Sequence, residues 1–553
     1  MNEHCLFQVT KLASEQDDKT KSSYGRASTM WPRTIELLDQ LDLAEPLIQA
    51  GMITRSGLHF HEGRRVKGGL MYGNRMDKLG DTFFKFALHL RQRLTEEIFA
   101  DAASKEIGST HMMLHRMQGF TIDQNEDSHP VTVQIKDLNT EEVVDIKCKY
   151  LIGADASTLF GGKSTVRKLA NISFEGEHTQ SRWIRMDARV TTDMPNPRCL
   201  NSIDSASHGQ ILWCPIDNGL TRIGYVFSGS LIEKYGGVEG VTQEVAMVEA
   251  KQALHPFKLE FLSVDWFTIY GIGQRIAGTF CANDRVFLAG DAGHTHSSGS
   301  AQGLNTGIHD AVNLAWKLAL RVRGLAKKAL LDSYDAERRQ VVQTVINNDK
   351  VISTLISGHY PPRFQGRSEP TRIIDRMVQR SQYATLYSWT CLLNVTIADP
   401  SVATIDPGER GPDVYLTSLG TGDPLRLQKI LSNRAKFSIV VFSGNTEYTR
   451  LALVDLRTTI TALDSFVNAF PAQIFQWFTI PATFGNGGQE ILGCQPFGKV
   501  YLDTEMKAHE MYGVDIRRGA VIVFRPDGWI GTVVPLSGVG QLNQYFDAIL
   551  NRR

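Results

Sequence analysis

The chain has 553 residues, which at about 150 residues per domain gives three or four domains. Hydrophobic residues make up 42% and charged residues 21%, and this composition excludes a wholly disordered, collagen-like or coiled-coil chain. The 59 basic and 59 acidic residues cancel, which argues against nucleic acid as a partner, and no apolar run reaches the roughly 18 residues of a membrane span.

Residues 1–24 are polar and weakly patterned. They lack the long apolar segment of a secretory signal peptide. The chain also has seven cysteines without a Cys-x-x-Cys pair, which fits a reducing compartment better than a disulfide framework. These features favour a cytoplasmic enzyme.

Residues 25–170 contain two predicted helices followed by strands. Pro32 suits the first turn of a helix, and Ile35, Leu38 and Leu41 follow at helical spacing. The run LRQRLTEEIFADAASKEIG predicts a second helix that ends at Gly108. The segments VTVQIKDL and VVDIKCKYLIGAD alternate as strands do.

Three further regions complete the predicted organisation. Residues 171–278 contain short β-like segments, GQILWCPI and LTRIGYVF, and one helix, VTQEVAMVEAKQAL. Residues 279–400 contain an apolar strand, a glycine-bearing turn, a buried helix over 303–322 and the helix KALLDSYDAERRQVVQTVINNDKVISTLI. After a predicted linker near residue 400, residues 401–553 form a separable unit with the strands FSIVVF and AVIVFRPDGWIGTVV.

The turn after the strand Val286–Ala289 carries the clearest chemistry. Asp291 follows Gly290 at the carboxyl end of that strand, where open α/β sheets bind ligands. Gly303, Leu304 and Asn305 begin the next helix, and free amides at a helix start stabilise negative charge on a ligand. A tight turn with an ordinary helix start is the alternative explanation.

The stretch GDAGHTHSSGSAQGLNTGIHDAVNLAWKLA resembles the second flavin fingerprint of the FAD-dependent aromatic hydroxylases, in their fungal phenol 2-monooxygenase-like branch. The resemblance implies an α/β fold: a Rossmann-like FAD-binding domain formed by 25–170 and 279–400, an inserted β-sheet substrate domain over 171–278, and a thioredoxin-like domain over 401–553. It also implies that Asp291 holds the ribityl chain of FAD and that the amides of Gly303, Leu304 and Asn305 face the isoalloxazine, whose reduced form carries negative charge there.

Other segments resemble further cofactor motifs of that family. LIGADASTLFGGKSTVRK is similar to the Asp-Gly motif that helps to hold FAD and receives NADPH. The matching residues are Asp155, Ser164 and Arg167. Two departures from the motif are Ala156, where glycine is usual, and a turn lengthened by TLFGG.

Three more polar residues match flavin-contacting positions of the family. Arg91 and Gln92 lie in LRQRLTEEI, although a solvated helix face explains them equally well. Arg33 in WPRTIELL matches an arginine near the FAD pyrophosphate, and an arginine fork suits phosphate.

One expected motif does not occur in the sequence. The family opens with a strand, Gly-x-Gly-x-x-Gly and a helix, and this glycine loop seats the ADP half of FAD. No such loop precedes GRASTMWPRT, which leaves a truncated Rossmann-like domain with two explanations: the sequence comes from a truncated gene model, or the protein no longer binds FAD tightly. The alternative to an enzyme is an FAD-deficient relative that acts as a scaffold or binding subunit.

The resemblance implies a reaction with a small aromatic substrate. NADPH reduces FAD, O2 adds to give a C4a-hydroperoxide, and one oxygen atom passes to a phenolic or polyketide-type ring. The base that deprotonates a phenol in this family is an aspartate whose position here holds Ser28, and serine is too weak an acid to act as an ionised base. Either another group removes the proton, or the substrate is not a simple phenol.

Arg222 and Tyr225 are the catalytic candidates on the other side of the expected pocket. Arg222 matches a family arginine near the flavin, whereas Tyr225 lies one place after the family tyrosine, whose position holds Gly224. A strand with one exposed face is the alternative explanation for both residues.

We expect no metal site and no dithiol chemistry. His294 and His296 have the spacing of a metal pair, but no third ligand lies nearby in the sequence and the family pattern contains this pair without metal. Cys494 in the C-terminal unit is a small buried residue by expectation. That unit is interpreted as a packing or homodimerisation module, so that deletion after about residue 405 should leave a flavin site intact.

Overall fold

The boundaries of the elements come from a computed structural model that describes residues 11–14, 26–66, 81–106, 110–155, 164–205, 207–297, 299, 301–356 and 401–553. The first part comprises β1 (Lys11–Ser14), β2 (Thr29–Met30), α1 (Pro32–Asp39), α2 (Ala44–Ala50), β3 (Met52–Thr54), β4 (Gly57–His61), β5 (Arg64–Val66), β6 (Ala87–His89) and α3 (Gln92–Glu106). It continues with β7 (Thr110–Met113), β8 (His115–Ile122), β9 (Val131–Asp137), β10 (Val143–Cys148), β11 (Leu151–Gly153) and α4 (Thr165–Leu169).

The middle of the chain is largely β-structure and is followed by two long helices. It comprises β12 (Phe174–Thr192), β13 (Leu200–Ser205), β14 (Gly209–Pro215), β15 (Thr221–Phe227), α5 (Gly229–Lys234), α6 (Gln243–Ala253) and β16 (Leu259–Ala277). Next come β17 (Cys281–Ala282), β18 (Val286–Leu288), β19 (His294–Thr295), α7 (Gly303–Val322) and α8 (Lys328–Ile356).

The C-terminal unit alternates short strands and helices. It comprises β20 (Tyr415–Ser418), β21 (Pro424–Arg426), α9 (Leu427–Ile430), β22 (Phe437–Gly444), α10 (Thr446–Ile460), α11 (Phe466–Ala469), β23 (Phe475–Pro481), α12 (Gly488–Leu492), β24 (Lys499–Leu502), α13 (Lys507–Tyr512), β25 (Ala520–Phe524), β26 (Ile530–Val534) and α14 (Val539–Ile549).

Local signals place several helices where the sequence predicts them. Pro32 occupies the first turn of α1, where its missing N–H leaves no hydrogen bond unmade. The helices α3, α7 and α8 also agree with the prediction, although the proposed terminator Gly108 lies outside the described residues. The strand β1, within the polar N-terminal segment, was not predicted and pairs in parallel with β7.

An eight-stranded sheet dominates the middle of the chain, in the order β19-β16-β12-β15-β14-β13-β4-β5. The predicted range 171–278 supplies only five of these strands. The others come from β4 and β5 in the first part and from β19 after the glycine turn. These three strands belong to the same parts of the chain as Ser28 and Asp291, so the sheet is continuous with both parts.

The two faces of this sheet differ in chemistry because side chains alternate along a strand. One face packs α6 and buries Ile184, Met186, Ile211, Ile223 and Tyr225 in an apolar core. The register pairs Asp187 with Arg222, and Arg222 with Cys214, so these three residues lie together on the opposite face. We call this face, which also carries Arg185 and Gly224, the polar face.

The turn that carries Asp291 follows a parallel strand pair. β18 pairs in parallel with β11 and antiparallel with β17. α7 packs closely against this turn and against α8, and most of its residues are buried, as its apolar pattern predicts. Thus the strand end and the start of α7 meet, as the fingerprint required.

The C-terminal sheet has the order β21-β20-β24-β23-β22-β25-β26. β22 and β23 are parallel and joined through α10, whereas β22, β25 and β26 are antiparallel and followed by α14. These β-α-β and β-β-α halves confirm the predicted thioredoxin-like fold.

The C-terminal unit shares its core with the rest of the chain. Trp316 and Leu320 of α7, with Ala326 and Leu330, belong to the same buried cluster as Phe437 of β22. The segment predicted as a linker is itself packed, since Val402, Ala403 and Ile405 lie in a second buried cluster. Across the described part of the chain, no helix combines the length and the apolar character that a membrane crossing needs.

Candidate functional site

The turn after β18 presents an unpaired carboxylate. Gly290 has a φ of +59°, a conformation that favours glycine, and its N–H donates to Oδ2 of Asp310 at 3.0 Å. A Cβ on Gly307 of α7 would lie 3.5 Å from Cα of Gly290, so the turn sits directly on the helix. Asp291 is exposed, and no described residue forms a hydrogen bond or ion pair with its carboxylate.

The first turn of α7 supplies free donors. Within the described residues, the backbone N–H groups of Gly303, Leu304 and Asn305 form no hydrogen bond. They lie at the positive end of a 20-residue helix, which favours negative charge on a neighbouring group. These amides can therefore donate to an anionic edge of a ligand.

The side chain of Asn305 has a structural part that the sequence did not indicate. Oδ1 accepts hydrogen bonds from N of Trp31 at 2.9 Å and from Oγ1 of Thr34 at 2.6 Å. Nδ2 donates to O of Thr29 at 2.9 Å and to O of Ala301 at 2.7 Å. Because all four contacts are satisfied, Asn305 fastens the start of α7 to the segment that enters α1.

A buried acid holds the turn against α7 and α8. Asp310 is completely buried and contacts Nε2 of His294 at 2.7 Å and Nε of Arg338 at 2.7 Å. Burial acts to raise the pKa of Asp310, but Arg338 and His294 outweigh it and hold the pKa at about 2. Asp310 is therefore ionised at neutral pH and keeps Gly290 in place.

The rings of His294 and His296 lie parallel to each other, and one of their four nitrogens is bound to a carboxylate. Their rings stack with centroids 6.3 Å apart, and Nε2 of His294 is occupied by Asp310. No group of three His, Cys, Asp or Glu side chains suited to a metal ion occurs among the described residues.

The motif around Asp155 is a helix start that contacts the Gly290 turn. Asp155 accepts hydrogen bonds from Oγ of Ser164 at 2.6 Å and from N of Thr165 at 2.5 Å, so its carboxylate caps α4. Arg167 donates from Nη1 to O of Ala292 at 2.7 Å. Arg167 is thus brought to the fingerprint turn, whereas the departures at Ala156 and TLFGG lie outside the described residues.

Arg33 is a packing residue, which corrects its prediction as a phosphate contact. Its side chain is completely buried and donates to Oε2 of Glu36 at 3.2 Å and to O of Asp527 at 3.2 Å. Its guanidinium also lies 4.7 Å from the ring centroid of Trp529. Contacts with the C-terminal unit enclose this arginine, and no pattern in the sequence predicts these contacts.

Arg91 and Gln92 differ in their surroundings. Arg91 is buried and pairs with Asp217, its Nε lying 2.8 Å from Oδ1, and also with Asp265. It ties α3 to the eight-stranded sheet. Gln92 is partly exposed and donates to Glu96 at 2.7 Å, which fits the solvated-face explanation.

Arg222 contacts Ser28, the residue that stands at the position of the family base. Its Nε and Nη2 donate to the two carboxylate oxygens of Asp187, each at 2.7 Å, and its Nη1 donates to Oγ of Ser28 at 3.0 Å. Burial acts to lower the pKa of Arg222, but Asp187 outweighs it and raises the pKa. The structure thus brings Ser28 and Arg222, which the sequence analysis named separately, into contact at the polar face.

Tyr225 lies on the other face, which corrects its pairing with Arg222. Its ring is completely buried, and its hydroxyl donates to O of Ala246 in α6 at 2.7 Å. Two residues three places apart on a strand point to opposite faces. Tyr225 therefore stabilises the core below the sheet, and the polar face carries Gly224 in its place.

Three residues near Ser28 were missed by the sequence analysis. Asp187 holds Arg222, and Cys214 lies beside Arg222 with Sγ 3.2 Å from Nδ1 of His89. Burial lowers the pKa of His89 to about 3 and raises the pKa of Cys214 to about 11, so both are neutral at physiological pH. The alternation of side chains along β12 and β14 indicates which residues of one strand share a face. Only the register between the strands shows that Asp187 and Cys214 lie beside Arg222.

The described residues fit the flavin half of FAD. An exposed carboxylate at a strand end can accept hydrogen bonds from a polyol chain, and the free amides of α7 can donate to the electron-rich edge of a reduced ring. The close contact between Gly290 and Gly307 holds the turn that carries Asp291 against the N-terminal part of α7.

Comparison with known proteins agrees with this geometry. Residues 14–349 match the family described as FAD binding domain, and residues 385–553 match the phenol hydroxylase C-terminal dimerisation domain. The chain belongs to the FAD-dependent aromatic monooxygenase family. Its resemblance to that family, noted in the sequence, is confirmed.

The similarity to individual members of the family extends over most of the chain. A phenol 2-monooxygenase, fsqG, of Aspergillus fumigatus is 24% identical over 554 residues, which cover 95% of this chain and 90% of the relative. The flavin-dependent monooxygenase PieE has the same fold, with a TM-score of 0.72 at 17% identity over 97% of this chain and 93% of its own. Aklavinone-11 hydroxylase gives 0.70 at 18% identity over 99% and 96%.

Proposed function

We propose that this chain uses FAD and NADPH to hydroxylate a phenolic or polyketide-type aromatic compound with O2. In this proposal, residues 25–170 and 279–400 hold the flavin, and the sheet of residues 171–278 supplies the polar face against which the substrate lies. When bound, FAD supplies the transfer of electrons from NADPH to O2 and of one oxygen atom to the ring.

One observation carries the proposal. The short segment from Ser28 to Trp31 touches both halves of the site, since Trp31 and Thr29 bind Asn305 at the start of α7 and Ser28 binds Arg222 on the polar face. A ring seated at the α7 amides would therefore lie near the polar face. This juxtaposition is what transfer of an atom between two bound rings needs.

The chain's own residues have separate tasks in the proposed site. The carboxylate of Asp291 accepts hydrogen bonds from the polyol, and the α7 amides stabilise negative charge on the ring. Arg222, fixed by two hydrogen bonds to Asp187, holds Ser28 and keeps a positive charge at the substrate side.

Buried polar atoms on the polar face support a ligand there. Nε1 of Trp183 and Oε1 of Gln210 are both buried and have no hydrogen-bond partner among the described residues. The register places both side chains on the same face as Arg222. Unpaired buried polar groups are costly, and a polar aromatic ligand would supply the missing partners.

Purified protein tests the proposal directly. We expect a yellow protein that releases FAD on denaturation and consumes NADPH faster when a suitable phenol is added. A colourless protein that does not take up excess FAD would overturn it and leave the FAD-deficient scaffold as the explanation. The match of residues 385–553 to a dimerisation domain supports a homodimer, which sedimentation of the same sample measures.

A further inference from the structure

Ser28 is a buried hydroxyl beside a fixed cation. Its residue is only 5% exposed, and its backbone O accepts a hydrogen bond from N of Leu90 at 2.7 Å. Its Oγ lies 3.0 Å from Nη1 of Arg222. The backbone and the side chain are thus both held in position.

The direction of that hydrogen bond leaves the serine proton unused. A guanidinium can only donate, so Oγ of Ser28 is the acceptor from Arg222. No described residue accepts the O–H of Ser28. A buried donor without an acceptor is costly, whereas an oxygen atom of a bound ligand would satisfy it.

The carboxylates around the polar face already have basic side chains as partners. Asp187 makes two hydrogen bonds to Arg222, and Asp217 and Asp265 both pair with Arg91. Asp204, at the edge of the face, pairs with His61. None of these four carboxylates is poised to remove a proton from a substrate.

The neutral groups near Ser28 are also unsuited to act as a base. Both ring nitrogens of His89 are within hydrogen-bond distance of hydroxyls, Nδ1 3.0 Å from Oγ1 of Thr29 and Nε2 2.7 Å from Oγ1 of Thr54. Burial lowers the pKa of His89 to about 3 and raises that of Cys214 to about 11. An imidazole with so low a pKa is a weak base, and the thiol stays protonated.

We propose that Ser28 donates a hydrogen bond to an anionic oxygen of the substrate, and that this chain therefore takes acidic phenols or enols that enter the site already ionised. This inference rests on the proposed function and names its substrate class. The charge of Arg222, relayed through Ser28, stabilises the incoming oxygen anion, so that no resident base is needed. Asp187 fixes Arg222 and acts as a positioning residue.

The test uses 4-nitrophenol, which ionises near neutral pH and changes colour as it does so. It is titrated into the flavin-containing protein without NADPH, and difference spectra report the ionisation state of the bound probe. We expect the wild type to bind the phenolate, with affinity that rises with pH. Ser28→Ala should bind the phenolate more weakly by about tenfold or more, because one hydrogen bond to a charged group is lost.

Two further variants separate a donor from a merely structural serine. Ser28→Thr keeps the hydroxyl and should restore phenolate binding. Ser28→Asp places a carboxylate beside Arg222 and should reverse the preference, so that the neutral phenol binds and its affinity falls as pH rises. Ser128→Ala, in an exposed turn, is the matched control and should behave as the wild type.

Flavin content and unfolding temperature are measured on every sample. An identical result for the wild type and Ser28→Ala in folded, flavin-containing protein overturns the inference, whether both bind the probe equally or neither binds it. Preferential binding of the neutral phenol by the wild type also overturns it. Loss of flavin from the wild type would instead overturn the proposed function.

Discussion

Arg410 of the C-terminal unit and Glu36 of α1 form a buried ion pair across 374 residues of sequence, with Nε of Arg410 2.6 Å from Oε2 of Glu36. Both side chains are almost completely buried. Burial acts to raise the pKa of Glu36, but Arg410 and Arg33 outweigh it and lower the pKa. The pair joins the C-terminal unit to the helix that follows Ser28.

Arg410→Met should destabilise the whole protein. Glu36 would lose both hydrogen bonds from Arg410 and keep the longer contact with Arg33 at 3.2 Å, and breaking a buried ion pair costs about 3–5 kcal/mol. The free energy of unfolding from urea titration measures the effect. Arg552→Met removes the exposed partner of Asp547 and should change that free energy by less than about 1 kcal/mol; equal losses in both variants would contradict the prediction.

The same interface revises the expectation for a deletion. Removal of residues 406–553 exposes Trp316 and Leu320 of α7 and leaves Glu36 without Arg410. We therefore expect the remaining fragment to lose its flavin site together with its fold, in contrast to the expectation from the sequence. A soluble fragment with unchanged flavin content would show that the C-terminal unit is separable after all.

Asp291→Ala should weaken FAD binding. The carboxylate is exposed and unpaired among the described residues, so its loss removes only contacts with a ligand. One charge-assisted hydrogen bond is worth about 1.5–3 kcal/mol, which corresponds to roughly tenfold weaker binding or more. Flavin released per mole of protein measures it, with Asp127→Ala, at another exposed aspartate, as the control; equal flavin content in both would remove the assignment.

Tyr225→Phe and Arg222→Lys should have different effects, because their side chains lie on opposite faces of β15. Tyr225→Phe loses the hydrogen bond to Ala246 and should lower the free energy of unfolding by about 1 kcal/mol without weakening the binding of a phenolic ligand. Arg222→Lys loses the two-point contact with Asp187 and should weaken that binding severalfold or more. Equal ligand affinities for the two variants, measured by tryptophan fluorescence, would count against this division.

His89 should make stability depend on pH below neutrality. Its pKa is about 3 in the folded protein and about 6.5 in an unfolded chain. Between these values the unfolded chain binds one proton more, so the free energy of unfolding falls as pH decreases, by up to about 1.4 kcal/mol per pH unit. This stability is fully present above pH 6.5.

The variant His89→Gln tests that sign. At pH 7.5 we expect it to be less stable than the wild type, and the difference should narrow by about 2 kcal/mol on going to pH 5. His129→Gln, at an exposed histidine, should run parallel to the wild type. A constant difference between His89→Gln and the wild type across this range would show that His89 does not contribute the slope.

Local patterns in the sequence predict the main helices, several strands and the flavin fingerprint. Pro32 and the apolar spacing after it predict α1, and the run from Val286 to Val322 predicts a strand, a turn and a buried helix. These are local features, since caps, turns and periodicity act between neighbouring residues. For the same reason Asp291 could be recognised from its place after the strand.

Contacts between residues that are distant in the sequence could not be predicted in this way and become visible in the folded chain. The sequence predicts Arg33 as a phosphate ligand, but in the structure Asp527 and Trp529 enclose its side chain. It also predicts Tyr225 as a partner of Arg222, but the strand register places the two side chains on opposite faces of the sheet. The contact of Ser28 with Arg222 joins residues 194 positions apart. Such pairings depend on sheet register and on packing between units, which no local pattern encodes.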